Sequence, residues 1–218
     1  YHGGGGGAGA GAAGGKGGST NGGAGGTAIP VTSTAPDKPG GGGGGFTESC
    51  TANGAAGGGT IKIKVASLAM DGNIYADGAS GGYATYQYSH WKNGAGGGGA
   101  GSIWVEAGAI SGAGFFQAKG GNGGPGGGGL AAGGGGGGGS VFLRTDDREG
   151  FKDASEVSGL ARSNVAGGIS VVEANGRAGT AGGTGNLVAA SQDGQDIYLS
   201  GNYEITTSSA TVSKLTLA

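Results

Sequence analysis

From residue 60 onward, apolar and polar positions alternate: Ile61, Ile63 and Val65 fall on one side of a period of two, with Lys62 and Lys64 on the other. That spacing predicts a half-buried strand. The pattern then recurs. Residues 60–82, TIKIKVASLAMDGNIYADGASGG, align without a gap on residues 102–124, SIWVEAGAISGAGFFQAKGGNGG, at an offset of 42. Ile61 meets Ile103, Ile63 meets Val105, Leu68 meets Ile110, Gly72 meets Gly114, Ile74 meets Phe116, Ala76 meets Ala118 and Gly78 meets Gly120. A third start, Ser140-Val-Phe-Leu-Arg144, follows at an offset of 38. Each unit reads as strand, tight turn (Asp71-Gly72, Ala113-Gly114), strand and glycine tract. In-register stacking places Ile61, Ile103 and Val141 in one buried column and Ile63, Val105 and Leu143 in the next. Lys64, Glu106 and Arg144 then lie in line on the opposite face. Further strands are expected at residues 168–174, 186–190, 196–199 and 203–217, with a short extended segment at 27–34.

Glycine changes this picture. The chain of 218 residues holds 64 glycines, of which only 11 lie in residues 140–218. The sequence therefore divides into a glycine-rich repeat region, 1–139, and a less glycine-rich β region, 140–218. Leu, Ile, Val and Phe together number 32, too few for an ordinary packed core, so an ordered fold must rest heavily on backbone hydrogen bonds. Glycine-rich sequence is normally flexible linker. The competing reading is an extended helix of the polyproline II type, whose lack of side chains lets neighbouring backbones bond to one another. Recurrence of the tracts at fixed positions between matched strands favours the ordered form. Strict Gly-X-Y periodicity is missing and proline occurs four times, which excludes collagen. The expected fold is all-β: stacked short strands, solenoid or sandwich-like, with packed polyglycine II-type tracts, the stretch from Gly3 to Gly26 among them.

Charge and chemistry narrow the function by exclusion. Net charge is −2, and 15 of the 26 charged residues follow position 139, which argues against nucleic acid as a partner. No apolar run approaches the roughly 18 residues of a membrane span. The chain starts at Tyr1 without a methionine or leader, as a processed or trimmed product would. One cysteine, Cys50, allows no internal disulfide, and two histidines, His2 and His90, leave little for a metal site. The stretch AGAAGGKG at 10–17 fails the phosphate-loop pattern at both ends. Asp146, Asp147, Glu149 and Asp153 surround Gly150 and make a calcium candidate whose spacing fits neither the EF-hand nor the nonapeptide loop. No nucleophile and base pair in the sequence, so no enzymatic activity, catalytic residue or cofactor is expected. No asparagine is followed at plus two by Ser or Thr.

The one chemically rich stretch is residues 83–91, where Tyr83, Tyr86, Tyr88, His90 and Trp91 interrupt the glycine between the two repeats. Flat rings with polar edges suit stacking on a sugar or another protein, and equally suit covering exposed backbone or a subunit contact. The unit around residues 100–124 resembles the glycine-rich repeats of secreted bacterial surface proteins and phage tail-fibre proteins. That resemblance covers about residues 57–145 and implies an extracellular, repetitive, non-enzymatic protein, cell-surface or virion-borne. The expected function is a structural or adhesive subunit that self-associates into a filament or fibre as a homo-oligomer or polymer. A phage tail-fibre receptor-binding tip contacting a surface glycan or protein is the alternative. An antifreeze surface is third, because regular threonine arrays are missing.

Overall fold

The structure is a computed structural model and describes residues 3–31, 37–47, 51–85, 91–145, 163–190, 196–200 and 214–217. No helix occurs among them, and their regular structure is β. Strands β1 (Phe46–Thr47) and β2 (Thr51–Ala52) form a small antiparallel pair, as do β5 (Tyr83–Thr85) and β6 (Lys92–Gly94). The main sheet contains β3 (Thr60–Ala69), β7 (Ser102–Ser111), β9 (Ser140–Arg144), β11 (Asn186–Ala190), β12 (Asp196–Ser200) and β13 (Lys214–Leu217). Its spatial order is β13-β12-β11-β9-β7-β3. The four strands β3, β7, β9 and β11 run parallel; β12 turns back against β11, and β13 runs parallel to β12.

The register of the main sheet is the one the sequence offsets align. Ile61 stands opposite Ile103, Ile103 opposite Val141 and Val141 opposite Leu187; Ile63, Val105 and Leu143 make the next column. A second, parallel sheet is made of β4 (Asn73–Tyr75), β8 (Phe115–Gln117) and β10 (Ser163–Asn164), in the order β10-β8-β4. The core lies between the two sheets. Ile103, Val105, Val141 and Leu143 come from the large sheet and Phe116 from the small one, with Ala76, Ala118 and Val165 where the strands pass into glycine tracts. Burying such side chains is worth about 1.5 to 3 kcal/mol each, so this small core is a real but limited share of the driving force.

The tight turns at Asp71-Gly72 and Ala113-Gly114 each carry the chain from the large sheet to the small one, so that successive units pair in parallel. The apolar spacing contains the reason. Ile103, Val105 and Ala107 are buried at even spacing, yet the next buried residue is Ile110, an odd step that turns the strand over at Gly108. A Cβ on Gly108 would stand 2.7 Å from the Ala66 carbonyl oxygen, so glycine is what lets β7 lie against β3 through the bend. Residues 168–174 are not a strand: Val172 makes an isolated bridge to Gly126, while Ile169 and Val172 face outward at 57% and 43% exposure. Their alternation has no core to meet. Of the segment 27–34, Ile29 bridges Ala10; residues 32–34 lie outside the described residues, as do 203–213 of the expected C-terminal strand.

The glycine tracts pack side by side and bond laterally. From Gly133 to Gly139 every amide donates to another segment, in a rotation of three. Gly133, Gly136 and Gly139 donate to Gly124, Gly121 and Ala118; Gly134 and Gly137 to Gly4 and Gly7; Gly135 and Gly138 to Thr180 and Gly183, all at 2.8 to 3.0 Å. Carbonyls of the same tract accept from Gly15, Gly97, Ala100 and Gly168, which belong to three further segments. One tract thus has six neighbours. The stretch 94–101 is surrounded in the same way: Gly94, Gly97 and Ala100 donate to Ala131, Gly134 and Gly137, and Ala95, Gly98 and Gly101 to Gly82, Ala79 and Ala76. Both tracts are buried along their length. The N-terminal stretch is not one tract but several, turning at Ala10-Gly11 so that Gly6 donates to Gly15, and at Ser19 to Gly22 so that Gly17 donates to Gly23. Backbones this close exclude side chains: a Cβ on Gly96 would overlap the Gly5 carbonyl, and one on Gly136 the Gly98 carbonyl.

Candidate functional site

Two regions carry side-chain chemistry. The first is a ladder on the outer face of the large sheet. Lys62, Trp104, Phe142 and Val188 share one row of the register, and Lys64, Glu106 and Arg144 the next. Parallel strands in register place like positions side by side, so the alternation of each strand becomes a row across the sheet. The Trp104 and Phe142 rings stack with centroids 6.4 Å apart and planes inclined by 5°. The Lys62 ammonium sits 4.5 Å from the centre of the Trp104 ring, a cation–π contact at the edge of the row. Lys64 Nζ pairs with Glu106 Oε1 at 2.8 Å. This bond holds the Glu106 carboxyl below the ordinary glutamate range against partial desolvation, helped by the positive charges of Lys64, Arg144 and Lys62. In the small sheet, Gln117 Nε2 donates to Asp77 Oδ2 at 2.6 Å and the Lys119 amide to Asp77 Oδ1 at 2.7 Å; Asn164 Nδ2 donates to Gln117 Oε1 at 3.3 Å. Asp71 Oδ1 likewise accepts from the Ala113 amide at 3.1 Å, so acids of one unit cap the backbone of the next at an offset of 42.

The second region is the end of the glycine bundle away from the sheets, where the chain makes its turns. Tyr83 lies on β5, 49% exposed, and the ammonium of Lys92 on β6 stands 4.9 Å from the centre of its ring. Lys92 also pairs with Glu173 Oε1 at 2.6 Å. The Lys92 amide and carbonyl bond to Gly127, which ties β6 to the turn at Gly128 and Gly129, both with positive φ (62° and 85°). The bond to Glu173, and less strongly the negative charge of Glu173, hold the Lys92 ammonium above its ordinary pKa against desolvation. Trp91 is half-buried immediately before β6. Tyr86, Tyr88 and His90 lie outside the described residues, and so do the calcium candidates Asp146, Asp147, Glu149 and Asp153. Among the described residues, no three His, Cys, Asp or Glu side chains come together as a metal site would need.

The partnership of Lys92 with Glu173 joins residues 81 apart and has no signal in the sequence. The caps at Asp71 and Asp77 do have one, because the offset of 42 already places Asp71 against Ala113 and Asp77 against Lys119. Among the described residues, no helix is long and apolar enough to cross a membrane. No protein-family model matches the chain, and no curated protein or solved structure matches it.

Proposed function

We propose that the chain is a non-enzymatic, extracellular structural or adhesive subunit whose glycine tracts form a polyglycine II bundle and whose copies join into a fibre. The bundle reading is supported by the rotation of hydrogen bonds with a period of three, the helical repeat of that conformation, and by six neighbours around each central tract. The stacked-strand reading is supported by the parallel register at offsets of 42 and 38, with each strand feeding a second sheet. The observation that carries the fibre is the strand order. The large sheet ends at β3 on one side and β13 on the other, and among the described residues β3 pairs only with β7, and β13 only with β12. Two different edges on one sheet suit a heterologous contact, and a heterologous contact that does not close gives an open polymer.

A phage tail-fibre receptor-binding tip is the second reading, favoured by one feature: β1-β2, β5-β6, the Gly127 turn and the Glu173 turn gather at the end of the glycine bundle, with Tyr83 exposed among them. Electron microscopy of the purified chain separates the two. Helical polymers support the fibre subunit; discrete particles at all concentrations overturn it and favour the tip.

A further inference from the structure

Five asparagines of the chain stand directly before a glycine: Asn21, Asn53, Asn93, Asn122 and Asn175. In such a pair the backbone nitrogen of the glycine can attack the asparagine side-chain carbonyl, because no Cβ on the glycine obstructs the five-membered ring that forms. A fold prevents this by keeping the glycine N–H in a hydrogen bond, which must open before the nitrogen is free to react. Four of the pairs are held in this way. Gly22 donates to Ser19 at 3.2 Å, Gly94 to Ala131 at 2.8 Å, Gly123 to Ile169 at 2.8 Å and Gly176 to Glu173 at 2.9 Å. Asn93 is also buried, and Asn122 Oδ1 accepts from the Ile169 amide at 3.1 Å, so these two side chains are fixed as well.

The fifth pair, Asn53-Gly54, is open. Asn53 is exposed, and the Gly54 amide donates to no group among the described residues. The period of three in the bundle accounts for this: Ala55 and Gly58 donate inward, to Gly96 and Gly99, whereas Gly54 and Gly57 stand one residue earlier, on a row without an acceptor among the described residues. The pair also sits at a joint. Before it, β2 is held to β1 by a ladder of two residues; after it, Gly43 donates to Ala55 and the packed tract begins. A ladder that short opens locally at little cost. Nor does the fold accept a slower residue in place of Gly54, since a Cβ there would overlap the Gly43 carbonyl. The packing that demands glycine keeps the pair reactive.

We infer that Asn53-Gly54 is a site of spontaneous deamidation in the native protein, the one pair of the five that reacts while the chain stays folded. The Gly54 nitrogen, on losing its proton to hydroxide, bonds to Asn53 Cγ, and the bond from Cγ to Nδ2 breaks as ammonia leaves. Water then opens the succinimide at either carbonyl, giving aspartate, or isoaspartate with the main chain running through the former side-chain carbonyl. The net change is amide and water to carboxylic acid and ammonia, with no oxidant or reductant. The new acid ionises at neutral pH and adds one negative charge at this joint. Hydroxide takes the first proton, so the rate rises with pH.

The test is incubation of the chain in mildly alkaline buffer, with and without denaturant. Digestion in mild acid follows, and mass spectrometry with enzymatic isoaspartate labelling measures product at each of the five asparagines. In the folded chain Asn53 should convert at least tenfold faster than Asn21, Asn93, Asn122 or Asn175. In denaturant, where all five glycine amides are free, the five rates should converge. Asn53→Gln keeps the amide on an exposed side chain but requires a larger, slower ring; it should remove the fast step while circular dichroism and thermal unfolding match the parent. Conversion of Asn53 no faster than the other four in the folded chain overturns the inference. So does a lead for Asn53 that persists unchanged in denaturant, because local sequence and not the fold would then set the rate.

Discussion

At Gly136 a single hydrogen atom decides whether two backbones can meet. Its amide donates to Gly121, its carbonyl accepts from Gly168, and the place of an L-side chain is filled by the Gly98 carbonyl. Gly136→Ala therefore has no room to relax and should lower stability by about 3 kcal/mol or more, beyond the 1 to 3 kcal/mol of ordinary overpacking, because backbone must move. Chemical denaturation of the variant beside the parent measures this. Phe116, fully buried between the sheets, is the largest closed side chain of the core, and Phe116→Ala should lower stability by about 3 to 5 kcal/mol. Glu106 is a subtler probe. Its pKa is lowered mainly by the hydrogen bond from Lys64, so its contribution is present above the pKa of the unfolded chain and is lost as pH falls through the lower, folded value. Carbon-detected NMR titration should place its midpoint below that of an exposed glutamate, and Lys64→Gln should move the midpoint up. The effect on stability should be small because the pair is at the surface.

The strands carry the register. Val105 is buried at the centre of β7 with Ile63 on one side and Leu143 on the other. Val105→Asp places an unpaired charge there and should unfold the stacked unit, a loss of more than about 4 kcal/mol; a soluble variant with parental melting behaviour would count against the register. This part of the fold was legible in the sequence, because parallel in-register pairing turns a repeat offset directly into a list of neighbours. Ile61, Ile103 and Val141 could be read as a column for that reason alone. The destination of the chain after the turn at Asp71-Gly72 was not legible: the residues that make a tight turn within one sheet also carry a chain between two sheets, and only the odd step from Ala107 to Ile110 hints at the second outcome. Residues 168–174 misled because Val and Ile read as strand, while Gly167 and Gly168 commit the segment to the bundle, where Gly168 donates to Gly136. The bond between Lys92 and Glu173 depends on how two turns are brought together, which no local pattern encodes.

At the scale of the molecule, backbone hydrogen bonds take the place that side chains hold in most proteins. Each is worth only about 0.5 to 1.5 kcal/mol net, and glycine loses more conformational freedom on folding than any other residue. Stability must then come from many bonds formed together, and partial unfolding of one tract should expose its six neighbours. The proposed fibre, joined by the same means, should respond little to salt, since screening acts on charges and the net charge is −2. Light scattering between about 0.05 and 0.5 M salt should show the same association; polymers that form only at low ionic strength would point to electrostatic joining. The central claim, that the glycine tracts are ordered by lateral bonding, is tested most directly by hydrogen exchange at Gly133 to Gly139. All seven amides donate to other segments and lie in the buried middle of the bundle, so they should exchange only with global unfolding, as slowly as the amides of β7. Complete exchange of these amides within seconds in the native protein would contradict the account and return the tracts to flexible linker.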